Sequence, residues 1–251
     1  MVKIQGSLFI GTSGWNYSHW GGGLFYPPDL RQKGWLAYYS KHFQTVEINN
    51  SFYRLPRKET FQAWRDSVPD GFVFAVKVSR FVTHMKKLSD PEMSMKNFLK
   101  NVSGLGVKLG PLLFQLPPFW KVNAHRLSQF LAYLDTQRLV KHPAWVFEFR
   151  NPTWICDEVF DLLKRYHASL CLADWPDLSI MDPHGSEIIY LRRHGTRELY
   201  ASSYTDEELK GASKKIRKWM DQGKEVFCYF NNDAEGWAVK DAHRLIHLLG
   251  N

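Results

Sequence analysis

Apolar positions along the chain gather into short runs bounded by turn residues, and each run is followed by a longer stretch. LFIGTSGW (8–15), TVEIN (45–49), FVFAVKVS (72–79), PLLFQLPP (111–118), WVFEFR (145–150), SLCLAD (169–174), IIYLRRHG (188–195) and EVFCYFNND (225–233) make eight runs of strand length. Helical spacing lies between several of them. Leu127, Phe130, Leu131 and Leu134 follow i, i+3, i+4, i+7, as do Val159, Leu162, Leu163 and Tyr166. Thr205 with Glu208 reads as a capping box opening a helix through Met220. A last helix is predicted from Trp237 to Leu249, ending at Gly250. After Asp174 the pattern weakens, because Pro176 and Pro183 leave room for little helix. No linker or composition break interrupts the 251 residues. The prediction is one α/β domain, residues 1–251, with eight parallel strands closed into a (β/α)8 TIM barrel. An open doubly wound sheet is the alternative.

Side chains on a strand alternate faces, so each run divides into two sets. Phe72, Phe74, Val76 and Val78 form an apolar set that should meet helices, which turns Ala75 and Lys77 inward. By the same parity Glu47, Asn49, Gln115, Glu148 and Arg150 point inward. Asp174 ends the sixth run, Arg193 stands late in the seventh, and Asn231 and Asp233 close the eighth. Nearly every run is apolar early and polar at its C-terminal end, where barrel enzymes build their sites. Charges there are costly unless paired or solvated in a pocket. One such pair would only close the barrel top, whereas polar ends on most strands at once favour a functional pocket.

Within that pocket Glu47 and Glu148 are the acid/base candidates, each alternatively spent on a neighbour, as Glu148 on Arg150. Lys77 offers a Schiff base, or a charged partner for Glu47. Asp174 completes the catalytic set. The loops add Tyr17, Trp20, Asn49, Tyr53, Arg54, His84, Trp154, His194 and Asn232 as candidate ligand contacts, with the aromatic rings as stacking walls. Phe52 reads as packing for its loop. Among the ten histidines no His-x-x-x-His or His-Glu-x-x-His spacing occurs, so metal dependence is not expected. A lone Gly21-Gly22-Gly23, with no Gly-x-Gly-x-x-Gly, no P-loop and no Gly-x-Ser-x-Gly, supplies no organic-cofactor, NTPase or serine-hydrolase motif.

Composition changes this picture in two ways. Lysines and arginines number 33 against 25 acids, a balance of +8 that permits anionic ligands, either a small anionic substrate or nucleic acid. The basic residues are scattered, with short clusters at Lys86-Lys87, Lys214-Lys215 and Arg192-Arg193 that also read as solvated surface. Aromatics make up 15% of the chain, many flanking Gly, Pro and Asn, which suits stacking on sugars or bases. Three cysteines, Cys156, Cys171 and Cys228, form no disulfide framework and fit a reducing cytoplasm. No apolar run is long enough to span a membrane, and Leu8–Ile10 after Lys3 is too short for a secretory signal. No obligate protein partner is inferred.

The motifs resemble the YecE-like family, domain of unknown function 72, over essentially the whole length. The resemblance rests on Gly-Thr-Ser-Gly-Trp (11–15), Tyr17 and Trp20, Phe25-Tyr26-Pro27, Thr45-Val46-Glu47-Ile48-Asn49, and Phe52-Tyr53-Arg54 with Pro56. It continues through Lys77, Thr83-His84, Gln115-Leu116-Pro117-Pro118, Glu148-Phe149-Arg150 with Trp154, Asp174, Arg193-His194-Gly195 and Phe230-Asn231-Asn232-Asp233. The segment after Asp174 is short for the pattern. The resemblance implies a TIM barrel and supplies no reaction. Three readings of function follow: an enzyme on a phosphate-bearing or other anionic substrate, nucleic acid included; a non-catalytic barrel that binds a small ligand or RNA; and a glycoside-cleaving enzyme using two glutamates, which the neighbouring lysine and arginines disfavour.

Overall fold

The computed structural model describes residues 6–137, 139, 144–175, 178–179, 183–186 and 188–250; Lys3 and Pro176 lie outside them. The strands are β1 (Leu8–Thr12), β2 (Thr45–Ile48), β3 (Val73–Lys77), β4 (Leu109–Gln115), β5 (Trp145–Glu148), β6 (Ser169–Trp175), β7 (Leu178–Ser179), β8 (Ile188–Arg193) and β9 (Glu225–Phe230). The helices are α1 (Trp35–Tyr39), α2 (Asn50–Tyr53), α3 (Lys58–Asp66), α4 (Pro91–Val102), α5 (Ala124–Asp135), α6 (Asp157–Arg165), α7 (Asp206–Asp221) and α8 (Trp237–Gly250). These parallel βα units place the chain in the (β/α)8 TIM-barrel class.

All eight predicted runs carry a strand, and most stop short of the run's polar end, where Asn, Pro and Gly turn the chain away from the ladder. The ninth strand, β7, is not among the predicted runs. It pairs antiparallel with β6 through Asp174↔Ser179 and Trp175↔Leu178, in the segment where the prolines leave room for little helix. The helical periodicities hold. α5 buries Leu127, Phe130, Leu131 and Leu134; α6 buries Val159, Leu162 and Leu163, while Tyr166 stands just past its end. The capping box of α7 is complete, with the Glu208 N–H donating to Thr205 Oγ1 and the Thr205 N–H to Glu208 Oε2. The three cysteines are free thiols, Cys171 and Cys228 buried.

The chain forms two compact units, one of Met1–Glu47, Leu172–Asp182 and Ile188–Asn251, the other of Ile48–Cys171 and Pro183–Glu187. In the first, β9 pairs in parallel with β1 on one side and β8 on the other, in the register Thr12↔Phe230↔Arg193, so the three strands end level. β1 passes so close to β2 that a Cβ on Gly11 would stand 2.2 Å from the Thr45 carbonyl oxygen and 2.9 Å from the Tyr39 hydroxyl. In the second unit β3, β4 and β5 are parallel neighbours, with Lys77↔Leu113 and Gln115↔Glu148 in register. The expected apolar face is the one that meets a helix: Phe114 stacks on Phe147 at 4.9 Å, and Phe130 of α5 sets its edge against Phe114 at 5.3 Å.

The approach at Gly11 predicts that Gly11→Ala forces the two backbones apart and destabilises the fold by about 1–3 kcal/mol, the usual cost of overpacking. The midpoint of equilibrium urea unfolding measures it; an unchanged midpoint would show that β1 can shift freely.

Candidate functional site

Three neighbouring strands of the second unit end in polar residues: β3 in Lys77, β4 in Gln115 and β5 in Glu148. Because the strands are parallel and in register, these ends project on one side. Arg150 donates from Nε to Glu148 Oε1 at 2.6 Å. The chain beyond it is fixed by Asn151, whose Nδ2 donates to the Pro118 carbonyl and whose Oδ1 accepts the Thr153 N–H. Lys77 Nζ lies 4.1 Å from the centre of the Phe52 ring, and Ser51 Oγ donates to the Lys77 carbonyl. His84 sits in a π-helical turn, Phe81–Met85, edge-on to Phe52 at 5.0 Å, with Nδ1 2.9 Å from Thr83 Oγ1. Burial, then the charges of Lys77, Arg150 and Arg80, push the His84 imidazole down to about 4, so it is neutral at pH 7. Asn49, just before α2, leaves its side-chain oxygen buried without a donor.

The first unit holds closed networks. Glu47 is 0% exposed and Arg192 1%. Glu47 Oε1 accepts from Ser13 Oγ at 2.8 Å and Arg192 Nη2 at 2.9 Å; Oε2 accepts from Tyr190 OH at 2.6 Å and Arg192 Nε at 3.1 Å. Burial and the Glu47 charge hold the Tyr190 phenol far above its ordinary range. In a second network Asp174 accepts the His194 N–H at 2.6 Å and the Tyr204 hydroxyl at 2.5 Å, and Arg193 Nη1 stands 3.4 Å from its carboxylate. Asn231 Nδ2 lies 3.1 Å from His194 Nδ1. Asp233 accepts from Trp20 Nε1 at 2.7 Å and faces His19 Nε2 at 3.0 Å; burial pushes its carboxyl up to about 6. Among the described residues no three His, Cys, Asp or Glu side chains cluster to hold a metal ion.

A family model described as "Protein of unknown function DUF72" matches residues 9–251. The chain belongs to the DUF72 family. It is 25% identical to the UPF0759 protein YunF of Bacillus subtilis, over 96% of this chain and 94% of YunF. The crystal structure of the DUF72 protein TM1631 from Thermotoga maritima superposes with a TM-score of 0.84 at 26% identity, covering 98% of this chain and all of that one. D-psicose 3-epimerase shares the fold alone, at 11% identity and a TM-score of 0.61, over 97% of this chain and 100% of its own.

On this DUF72 framework the residues proposed from sequence fall in both units. Lys77, His84, Gln115, Glu148 and Arg150 assemble in the second unit; Asp174, Arg193, His194 and Asn231 gather in the first. Several expectations are corrected. Trp20 and Trp154 offer no open ring face: both are fully buried, and Trp154 lies flat on Phe149 at 5.0 Å and donates to the Trp120 carbonyl. Tyr17 donates to the Ser13 carbonyl and packs its ring on Trp20. Asn232 is buried against Asp241, to which Nδ2 donates at 2.8 Å, and Arg244 neutralises that aspartate. Both oxygens of Glu47 are engaged, so it holds structure rather than standing ready to take a proton. The Arg192-Arg193 pair is no solvated cluster, since both side chains are buried. On β8 it is Arg192, on the same face as Tyr190, that reaches Glu47; Arg193 faces the other way and lies over the Tyr204 ring at 4.5 Å. Sequence reading missed Arg192, Tyr190, Ser13 and Arg80. Tyr190 and Arg192, two residues apart within an apolar run, carried the signal, because strand neighbours at i and i+2 share a face.

Glu47→Gln leaves a buried guanidinium without its counter-charge, and a loss of about 3–5 kcal/mol is expected. Thermal unfolding measures it, and Glu47→Leu with Arg192→Met should recover most of the loss. Asp233 gives a pH test. Its folded pKa lies above the unfolded value, so its contribution to stability is full in acid and fades as pH rises through about 6. Relative to wild type, Asp233→Asn should gain stability across that same rise; a difference independent of pH would contradict the burial of this carboxyl.

Proposed function

We propose that this DUF72 protein is an enzyme acting on a phosphate-bearing or other anionic substrate held at the ends of β3, β4 and β5. The observation that carries the reading is a half-buried neutral histidine, His84, packed on Phe52 and reached by the charges of Lys77, Arg150 and Arg80, with Arg150 held by the Glu148 carboxylate. Arg150, oriented through Nε by Glu148, carries a planar fork that suits phosphate, and Lys77 adds a point charge. Asn49 and Gln115 supply neutral polar contacts.

The chemistry this supports is proton transfer coupled to charge stabilisation. A bound anion offsets the cations that depress His84, and its pKa climbs back toward neutrality, where a general base works best. In phosphoester hydrolysis His84 would take a proton from water as the water oxygen bonds to phosphorus, the P–O ester bond would break, that proton would be returned to the departing oxygen to release an alcohol, and the cations would stabilise charge growing on the phosphoryl oxygens. Glycoside cleavage by two glutamates is less favoured, because Glu47 and Glu148 are each engaged by an arginine.

Calorimetric titration with inorganic phosphate at low salt should detect binding that Arg150→Gln and Lys77→Met each weaken by about tenfold, the scale of one charge-assisted hydrogen bond. In an NMR titration the His84 imidazole should move up from about 4 when phosphate is added. Binding without turnover over a panel of phosphoesters would favour the non-catalytic barrel; absence of anion binding would overturn the reading.

A further inference from the structure

We propose that the anion held at these strand ends is part of a single-stranded nucleic acid, and that the groove between α2 and α3 holds the nucleotides beside it. The proposal rests on the anion-site reading above and adds its substrate class. The groove has a volume of about 530 Å³ and is lined by Tyr53, Arg54, Leu55, Pro56, Arg57 and Trp64, with Asn50 and Thr60. That is room for a unit of nucleotide size, given that pockets for such ligands span roughly 300–1,000 Å³.

Four features argue for this occupant. Tyr53 is 74% exposed, a large ring left in water at the groove wall. Arg54 and Arg57 are also exposed, and neither has a carboxylate partner among the described residues. Ring faces beside unpaired arginines are the two elements that single-strand binding needs, one for bases and one for phosphates. The groove wall is also linked to the anion site by ring contacts. The Tyr53 ring meets Phe52 edge-on at 5.0 Å, and Phe52 is the ring beneath Lys77 at 4.1 Å. Successive residues of one short helix thus line both places.

Other ligands fit less well. A neutral apolar ligand has no use for two arginines, and an acidic peptide has no use for the ring face. A free mononucleotide fills one place and leaves the other empty. Duplex bases are stacked on one another and present no face to Tyr53. The +8 balance of the chain favours a polyanion in any case.

The test uses the full chain and a fluorescent single-stranded oligothymidylate, followed by anisotropy, with thymidine monophosphate, inorganic phosphate and a duplex of equal length as comparisons. The single strand should bind at least about tenfold more tightly than the monophosphate or the duplex, and Tyr53→Ala should remove about tenfold of that affinity, with Tyr53→Phe restoring it. Arg54→Gln with Arg57→Gln should lower the slope of log affinity against log salt by about one for each phosphate no longer neutralised. Tyr53, Arg54 and Arg57 are exposed, so these variants keep the fold, and their inorganic phosphate affinity should stay that of wild type. A strand bound no better than the monophosphate or duplex, or groove variants without effect on it, overturns the proposal. Phosphate binding that still responds to Arg150→Gln would then leave the anion site standing. Strand binding that responds to Tyr53→Ala but not to Arg150→Gln would refute the shared site and overturn the proposal, while the phosphate titration alone decides the anion reading.

Discussion

A carboxylate can be taken out of water only when donors replace its hydration, and this cost organises the polar interior of the chain. Glu47 meets it most completely. Ser13 from the loop after β1, together with Tyr190 and Arg192 from β8, converges on its two oxygens and ties those segments to β2. Asp174 and Asp241 meet the same cost with Tyr204 and Arg193, and with Arg244 and Asn232. Each network matches cation with anion and hydrogen-bonds the carboxylate, while Arg193 Nε and Asn232 Oδ1 stay buried without a hydrogen-bond partner. Such groups specify how strands and loops fit together and have little left to give a substrate.

The ends of β3, β4 and β5 follow a different rule. Glu148 has its arginine, and burial, followed by the charges of Lys77, Arg150 and Arg80, holds His84 neutral.

The aromatic residues divide in the same way. Around the loop after β1, Trp20, Phe25, Tyr26 and Trp35 pack on one another, with Tyr26 and Trp35 stacked at 4.5 Å, so most of the unusual ring content stabilises loops. Tyr53, like Phe119, is turned outward, and it stands on α2 beside two arginines.

Strand and helix positions are legible in the sequence because periods of two and 3.6 are local consequences of backbone geometry, and short range is all they need. The same alternation correctly sends Phe114 and Phe147 toward α5 and groups Lys77, Gln115 and Glu148. The capping box of α7 is equally local. What fails needs distance. Parity divides β8 into two faces without saying which one a remote carboxylate occupies, so the role of Arg192 as the partner of Glu47 is not legible from it. A tryptophan in a loop reads the same whether its ring is bare or flat against Phe149. The sequence determined the order of strands and helices and the residue types at the strand ends. Only tertiary structure decided which charges cancel and which remain for a ligand, because pairing depends on contacts between residues far apart in the chain, as with Ser13, Glu47 and Arg192, and on the water those contacts exclude.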